Sequence, residues 1–333
     1  MANLYITEQG SVLRKTGNRL LVEKDEEILL DVPCDKIDAV LIFGNVQVTT
    51  QCIREILEHG VELAILTRSG SKIVGQITSP ATKNIELRLE QFRKYGDAPF
   101  RLALAKIIVR GKISNCLNLM RTFSYNHSDI DLAPEMAGLQ SALSTLENAA
   151  DINALMGMEG NAARVYFGGF GKMILGEFTF AGRRKHPAPD PVNALLSFGY
   201  TLFFNEIMSL LDGLGFDPYL GYFHHVEYGR ASLASDLVEE FRASVDRFTL
   251  YLMNDRIFKP LNFFVNPKGE GMYLTREALK TYFVQYERHM NREFVHPDTH
   301  ERTSPRKCFR LQAERLAAYI RGDSEYKPFN LEV

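Results

Sequence analysis

Three short segments combine residue types that can hold a cation. In Gly157-Met158-Glu159-Gly160-Asn161-Ala162-Ala163-Arg164 a lone carboxylate stands among small residues. Small neighbours let a ligand approach the backbone closely, and a carboxylate there can meet a cation. A helix crossing lined by small residues, with an incidental surface glutamate, is the competing reading. In Asp217-Pro218-Tyr219-Leu220-Gly221-Tyr222-Phe223-His224-His225 an apolar loop ends on two histidines. Neutral imidazole is the commonest nitrogen ligand of metals, although a histidine in such a loop also serves as a hydrogen-bonded core residue. Adjacent side chains diverge, so at most one of the two reaches any given site. In Ser232-Leu233-Ala234-Ser235-Asp236-Leu237-Val238-Glu239-Glu240-Phe241-Arg242 the pattern is helical, with Ser232 as N-cap. Asp236 and Glu239 share a face at i, i+3 and repel by about a few tenths of a kcal/mol unless a cation neutralises them. An ion pair between Glu239 and Arg242 is the alternative.

One imidazole with two or three carboxylates is a mixed nitrogen and oxygen donor set that suits Mn²⁺ or Mg²⁺ better than zinc. H-E-x-x-H is absent, which argues against a zinc protease. Gly168-Gly169-Phe170-Gly171-Lys172 has neither the spacing nor the Ser/Thr of a Walker A loop. G-x-S-x-G is also missing, which weakens a serine hydrolase.

The elements that must carry these segments fall into two kinds. Up to about Ser79, short apolar runs (Asn3–Ile6, Arg19–Val22, Glu27–Val32, Ala39–Phe43, Glu62–Leu66, Lys72–Ile77) alternate with turn signals such as Thr16-Gly17-Asn18. One helix interrupts them, with Thr50 as N-cap and Ile53, Ile56 and Leu57 at helical spacing. After Pro80 the period lengthens to three and four. Glu86–Tyr95 is a charged helical connector, and Leu102, Leu104, Ile107, Ile108 and Ile113 begin a helix from Pro99 onward. Helical patterns follow over Met136–Ala149, Met156–Lys172, Pro191–Leu214, Leu233–Asn254, Thr275–Glu287 and Pro305–Gly322. The expected fold class is α+β: a small β-rich N-terminal domain (1–85), a helical connector (86–98) and a larger all-helical C-terminal domain (99–333).

At 333 residues the chain is long enough for two such domains. Its start, Met1–Tyr5, lacks the basic and apolar regions of a signal peptide, and no apolar run approaches the roughly 20 residues of a membrane span. A cytoplasmic protein without a membrane partner is expected. Cys34, Cys52, Cys116 and Cys308 are scattered, which excludes a C-x-x-C zinc site and reads as buried free thiols. Net charge is −2 and predicts no nucleic-acid partner by itself, but the bases are clustered. Between Glu86 and Ser124 eight basic residues meet three acidic ones, and further clusters run over 183–186 and 302–310. Such clusters form either a phosphate-binding stripe or a solvated helix face.

The same segments, in this order, resemble the CRISPR-associated endonuclease/integrase of spacer acquisition, the Cas one family. The resemblance covers essentially the whole length. It rests on Glu159-Gly160-Asn161-Ala162-Ala163-Arg164-Val165-Tyr166-Phe167, Arg183-Arg184, the run Asp190–Tyr200, the run Gly213–His224, and Ser232–Arg242. The resemblance implies that Glu159, His224 and Glu239 hold Mn²⁺ or Mg²⁺, with Asp236 as a fourth catalytic carboxylate. The family usually has Pro after the last acid; here Glu240 stands there and competes as a ligand. Arg164, Arg183, Arg184 and Arg242 are the implied DNA phosphate contacts. The implied chemistry is metal-dependent cleavage and joining of DNA, inserting spacer DNA into a CRISPR array by 3′-hydroxyl attack on a phosphodiester in antiviral defence. Implied partners are double-stranded DNA (spacer precursor and CRISPR repeat), a second copy paired through the N-terminal domain, and the small companion protein of the adaptation complex, Cas two. A catalytically silent DNA-binding scaffold is the alternative.

Overall fold

The computed structural model describes residues 2–70, 72–78, 84–184, 187–266 and 271–331. The chain divides into two compact units: residues 1–81 with 274–288, and residues 82–273 with 289–333.

In the first unit the period-two runs become β1 (Ala2–Ile6), β2 (Val12–Thr16), β3 (Arg19–Lys24), β4 (Glu27–Pro33), β5 (Ile37–Phe43), β6 (Gln47–Val48), β7 (Glu62–Leu66) and β8 (Ile73–Ile77), with α1 (Thr50–Glu58) between β6 and β7. They form two four-stranded sheets, in orders β1-β5-β7-β8 and β4-β3-β2-β6. Strand β5 lies parallel between β1 and β7, with Val40 opposite Leu4 and Leu63. The β2–β3 hairpin turns at Gly17, whose φ of 55° is a conformation glycine adopts freely. Leu13, Leu20, Val40, Ile42 and Ile56 are buried in one cluster, and each contributes roughly 1.5–3 kcal/mol by leaving water. The helix cap is Thr49, which accepts from the Cys52 N–H at 3.3 Å, one residue earlier than the sequence pattern suggests.

Among the described residues the second unit is mainly helical: α2 (Ile85–Tyr95), α3 (Ala98–Asn126), α4 (Ala133–Thr145), α5 (Ile152–Lys172), α6 (Pro191–Leu214), α7 (Ser232–Asn254), and, after α8 (Arg276–Met290), α9 (Pro305–Arg321). The expected α+β class, with a strand-rich N-terminal part followed by a mostly helical part, is the one observed. The C-terminal part also contains short strands β9 (Phe263–Val265), β10 (Met272–Leu274), β11 (Phe294–Val295) and β12 (Arg302–Thr303), so it is not all-helical.

Two expectations need correction. The sequence pattern predicts a helical domain continuous over 99–333, but residues 274–288, most of α8, belong to the first unit. There Phe283 stacks on Tyr5 at 4.1 Å between ring centroids, and the Tyr5 hydroxyl donates to Glu287 at 2.6 Å. Helical periodicity shows which face of α8 is apolar, not which partner covers it. Second, α6 is an apolar helix of 24 residues, long enough by length and composition to cross a membrane. Within its most apolar window 67% is buried, with Val192, Leu195, Leu196, Leu202 and Phe203 enclosed by the helical unit. It is the core helix against which α7 and α9 pack.

Candidate metal centre

Helix α3 packs against both α5 and α7, and this brings residues from distant parts of the sequence together. Asp97 caps α3, Asp151 caps α5 and Asp190 caps α6, accepting from Phe100, Ala154 and Asn193 N–H groups at 3.1, 2.8 and 2.7 Å. Each cap satisfies a backbone donor that the first helical turn leaves free. Lys112 projects from α3, Glu159 from α5, and Glu239 and Arg242 from α7.

His224 is placed by a loop that several hydrogen bonds hold in position. Gly215, at φ 104°, ends α6. Gln91 donates to the Asp217 and Leu220 carbonyls, both at 2.9 Å, and Arg101 donates to the Tyr222 carbonyl at 2.9 Å. The loop then folds over Asp236, which accepts the backbone N–H groups of Tyr222 (2.6 Å), Phe223 (3.0 Å) and His224 (2.9 Å). The same carboxylate lies 2.8 Å from His224 Nδ1. A carboxylate only accepts, so Nδ1 carries a hydrogen, and in the neutral imidazole the lone pair is on Nε2. Nε2 lies 3.7 Å from Glu239 Oε1. Gly221 is required for this approach, because a Cβ there would lie 2.7 Å from Asp236 Oδ2 and 2.6 Å from the Ser232 carbonyl carbon.

Glu239 is 2% exposed and is crowded by positive charge. Its Oε2 lies 2.5 Å from Lys112 Nζ and 2.7 Å from Arg242 Nε. Both are charge-assisted contacts, so this buried oxygen is paired on two sides. Lys112 also donates to Glu159 Oε1. Burial alone would raise the Glu239 pKa, but Arg242, Lys112 and His224 outweigh it and hold the carboxyl well below the usual carboxylate range. Burial likewise opposes the Lys112 charge, and Glu239 with Glu159 more than restores it.

Beneath these groups a cavity of about 10 Å³, room for one water, is lined by Lys112, Glu159, Tyr166, Tyr200, Arg242 and Asp246. Asp246, fully buried, accepts from the hydroxyls of Tyr166 (2.8 Å) and Tyr200. Burial pushes its carboxyl up to about 6 despite those bonds. Arg242 lies 4.7 Å over the Tyr200 ring and Arg183 lies 5.3 Å from it.

The structure therefore brings Glu159 and Glu239 onto the Lys112 ammonium, with His224 Nε2 3.7 Å from Glu239. Among the described residues, no group of three or more His, Cys, Asp and Glu side chains is set to hold a metal ion. The donor types still suit a divalent cation: two carboxylates and an imidazole nitrogen, with a lysine already standing between the acids as a positive charge.

Several assignments change. Asp236 cannot be a fourth ligand, since both of its oxygens are filled by loop N–H groups and His224. Glu240 does not compete for a metal. It turns the other way and accepts from the Tyr326 hydroxyl, the Phe329 N–H (2.8 Å) and Gln312 (2.8 Å). Nearby, Asn115 donates to the Glu240 and Phe329 carbonyls at 2.9 and 2.8 Å, and accepts from Leu331 N–H at 2.7 Å. Ser232 is not the α7 cap; its hydroxyl donates to the His225 carbonyl at 2.8 Å. His225 itself points to Asn153, so only one histidine of the pair reaches the acids.

The basic residues divide similarly. Arg164 and Arg184 are exposed. Arg183 is spent on Asn193 (3.0 Å), Ser197 (3.1 Å) and the Arg184 carbonyl (2.7 Å), and Arg242 on Glu239. In the 86–124 stripe, Arg88 and Arg101 bond loop carbonyls, and Lys106 bonds the Glu147 carbonyl at 2.7 Å. Most of that stripe braces the fold. Lys185 and His186, from the second basic cluster, lie outside the described residues. The four cysteines are free and buried, as expected.

Sequence reasoning missed Lys112 as a site residue, and missed Tyr166, Tyr200 and Asp246. Asp246 was within reach: it lies two turns beyond Glu239 on α7, a spacing that returns to the same face. Lys112 had no local signal, because its partners lie on other helices.

This architecture defines the class: a strand-rich unit and a helical unit that presents a histidine and two acids from three different elements. Residues 4–288 match the family model for CRISPR associated protein Cas1. The CRISPR-associated endonuclease Cas1 3 of Thermus thermophilus is 35% identical over 331 residues, 98% of this chain and 96% of that one. In shape the chain is similar to a casposase bound to integration product, with a TM-score of 0.88 over 99% of this chain and 93% of that one, at 21% identity. It is also similar to a chain of a Cas6-RT-Cas1–Cas2 complex, with a TM-score of 0.82 over 98% of this chain and 36% of that longer one, at 24% identity. The chain belongs to the Cas1 family.

Proposed function

We propose that this chain is a metal-dependent DNA endonuclease and integrase that inserts spacer DNA into a CRISPR array. The observation that carries the proposal is the meeting of Glu159 and Glu239 on one largely buried ammonium, with His224 Nε2 3.7 Å from Glu239 Oε1. Glu159, His224 and Glu239 would hold Mn²⁺ or Mg²⁺, which when bound polarises a phosphate oxygen and stabilises charge on the attacking and leaving oxygens. Asp236 keeps His224 in the ligating tautomer, and Arg242 balances the Glu239 charge from the protein side. Arg164 and Arg184, both exposed, would contact DNA phosphates.

In the joining reaction a 3′-hydroxyl oxygen forms a new P–O bond as an existing P–O bond breaks. Bonds are exchanged one for one, and no outside energy source is needed. With water as nucleophile the same step is nuclease action. The likeness to a casposase bound to integration product and to a chain of a Cas1–Cas2 complex supports this reading, with DNA as substrate and Cas two as companion. A homodimer formed through the strand-rich unit completes it.

The test is joining of a duplex with free 3′-hydroxyls to repeat-containing DNA, with Mn²⁺, with Mg²⁺ and with EDTA. Metal-dependent joined product is expected. DNA binding with neither nicking nor joining in any metal would favour the scaffold reading instead.

A further inference from the structure

We infer that Lys112 is a resident counter-ion that the divalent metal must displace, so that metal loading is an exchange of cations rather than the filling of an open site. This rests on the metal-site reading above. The Lys112 ammonium contacts both Glu159 and Glu239, and its side chain is only 12% exposed. It therefore stands where a cation shared by the two acids would stand.

Charge makes the same point. Glu159 and Glu239 carry two negative charges, and Lys112 and Arg242 carry two positive ones. With His224 neutral the cluster is already balanced. Adding a divalent ion would leave two uncompensated positive charges in a largely buried place, where like charges repel far more than in water. Arg242 cannot leave easily, since it is held by Glu239 and covered by the Tyr200 ring. Lys112 has a flexible stem, and among the described residues its ion-pair partners are the two acids that the metal would take. The ammonium thus keeps the acids together before metal arrives and weakens the metal's hold on them.

The test compares the wild-type chain with Lys112→Met and Lys112→Arg in Mn²⁺ titrations followed by calorimetry, and in melting curves with EDTA and with Mn²⁺. Lys112→Met is expected to melt below wild type in EDTA, to gain more from Mn²⁺, and to bind Mn²⁺ about tenfold more tightly or better, because a competing cation is gone. Lys112→Arg keeps the charge and should stay near wild type. In the wild-type chain itself, amine labelling of Lys112 read by mass spectrometry should rise when Mn²⁺ is added. Unchanged or weaker Mn²⁺ affinity in Lys112→Met, or unchanged labelling in the wild type, overturns the exchange while leaving the metal site standing. If wild-type Mn²⁺ binding is absent or insensitive to Glu159→Gln, the metal-site reading itself fails and the exchange fails with it.

Discussion

The Asp236 carboxylate lies 2.8 Å from His224 Nδ1 and gathers three consecutive backbone N–H groups of the same loop. One side chain thus fixes both the path of the loop and the tautomer of the imidazole it carries. Asp236→Asn replaces an acceptor-only group by one that also donates, and so disturbs the Nδ1 hydrogen bond. Metal affinity should fall by about 10–100-fold, the usual effect of losing a ligand's supporting partner. Mn²⁺ calorimetry checks it, and full affinity in the variant would remove Asp236 from that role.

Glu159→Gln, His224→Ala and Glu239→Gln should each lower metal-dependent joining by at least about 100-fold, with the fold retained. The glutamine variants are the right choice at the acids. Glu239→Ala would leave Lys112 and Arg242 facing each other in a buried site, and instability would then obscure the chemistry. Joining assays with circular dichroism as the fold control decide the point, and full activity in any variant removes that residue from the site.

Gly221→Ala should be damaging although no ligand is touched. The added Cβ would meet Asp236 Oδ2 and Ser232, costing roughly 1–3 kcal/mol and disturbing the His224 loop. A melting temperature and a joining rate both equal to wild type would show that the loop can yield.

Exposed and internal arginines should separate cleanly. Arg164→Ala and Arg184→Ala should weaken DNA binding and reduce the slope of log affinity against log salt by about 1 for each phosphate no longer neutralised. Arg183→Ala should instead destabilise the fold by about 1–3 kcal/mol, because it removes part-buried hydrogen bonds to Asn193 and Ser197. Anisotropy titrations over a salt series, with parallel melts, test the pair. A normal melt with a reduced salt slope for Arg183→Ala would reverse its assignment.

Glu240 sets a pH dependence of stability. Burial raises its carboxyl from 4.5 to about 7, against the hydrogen bonds donated by Tyr326, Phe329 and Gln312. Between those values the folded chain keeps a proton that the unfolded chain has released. Stability from this group therefore falls as pH rises from about 4.5 through about 7, and is flat above. Glu240→Gln removes that fall. Asp246, raised to about 6, acts in the same direction, so part of the slope persists in the variant. Denaturant titrations across this pH range measure both, and identical slopes would discard the Glu240 contribution.

Much of this fold is legible in the sequence where local signals agree. Helix α6 can be bounded from sequence because Asp190-Pro191 starts it and Gly215 stops it. Strand β2 escapes such a reading because Val12-Leu13-Arg14-Lys15-Thr16 has one fully buried residue, Leu13, and no sustained alternation. At the site, the residue types of Glu159, His224 and Glu239 point to a cation, and family resemblance selects them from their neighbours. Direction is not legible. Asp236, Glu239 and Glu240 lie within five residues, yet one orders a loop, one faces Lys112 and one is sealed into the core. Only the partners supplied by distant segments separate them.

The bonds from Tyr326, Phe329 and Gln312 to Glu240 act as an index pin for α7. Successive helical residues differ by about 100° in direction, so a rotation of one position would swap two neighbouring acids. Glu240, which burial inclines to hold a proton, would then face the cation, and Glu239 would face the tail. Three donors on Glu240, with Asn115 fastening residues 329 and 331 beside it, oppose that rotation. The segment around Tyr326–Phe329 thereby sets the angle at which Glu239 is presented to Lys112.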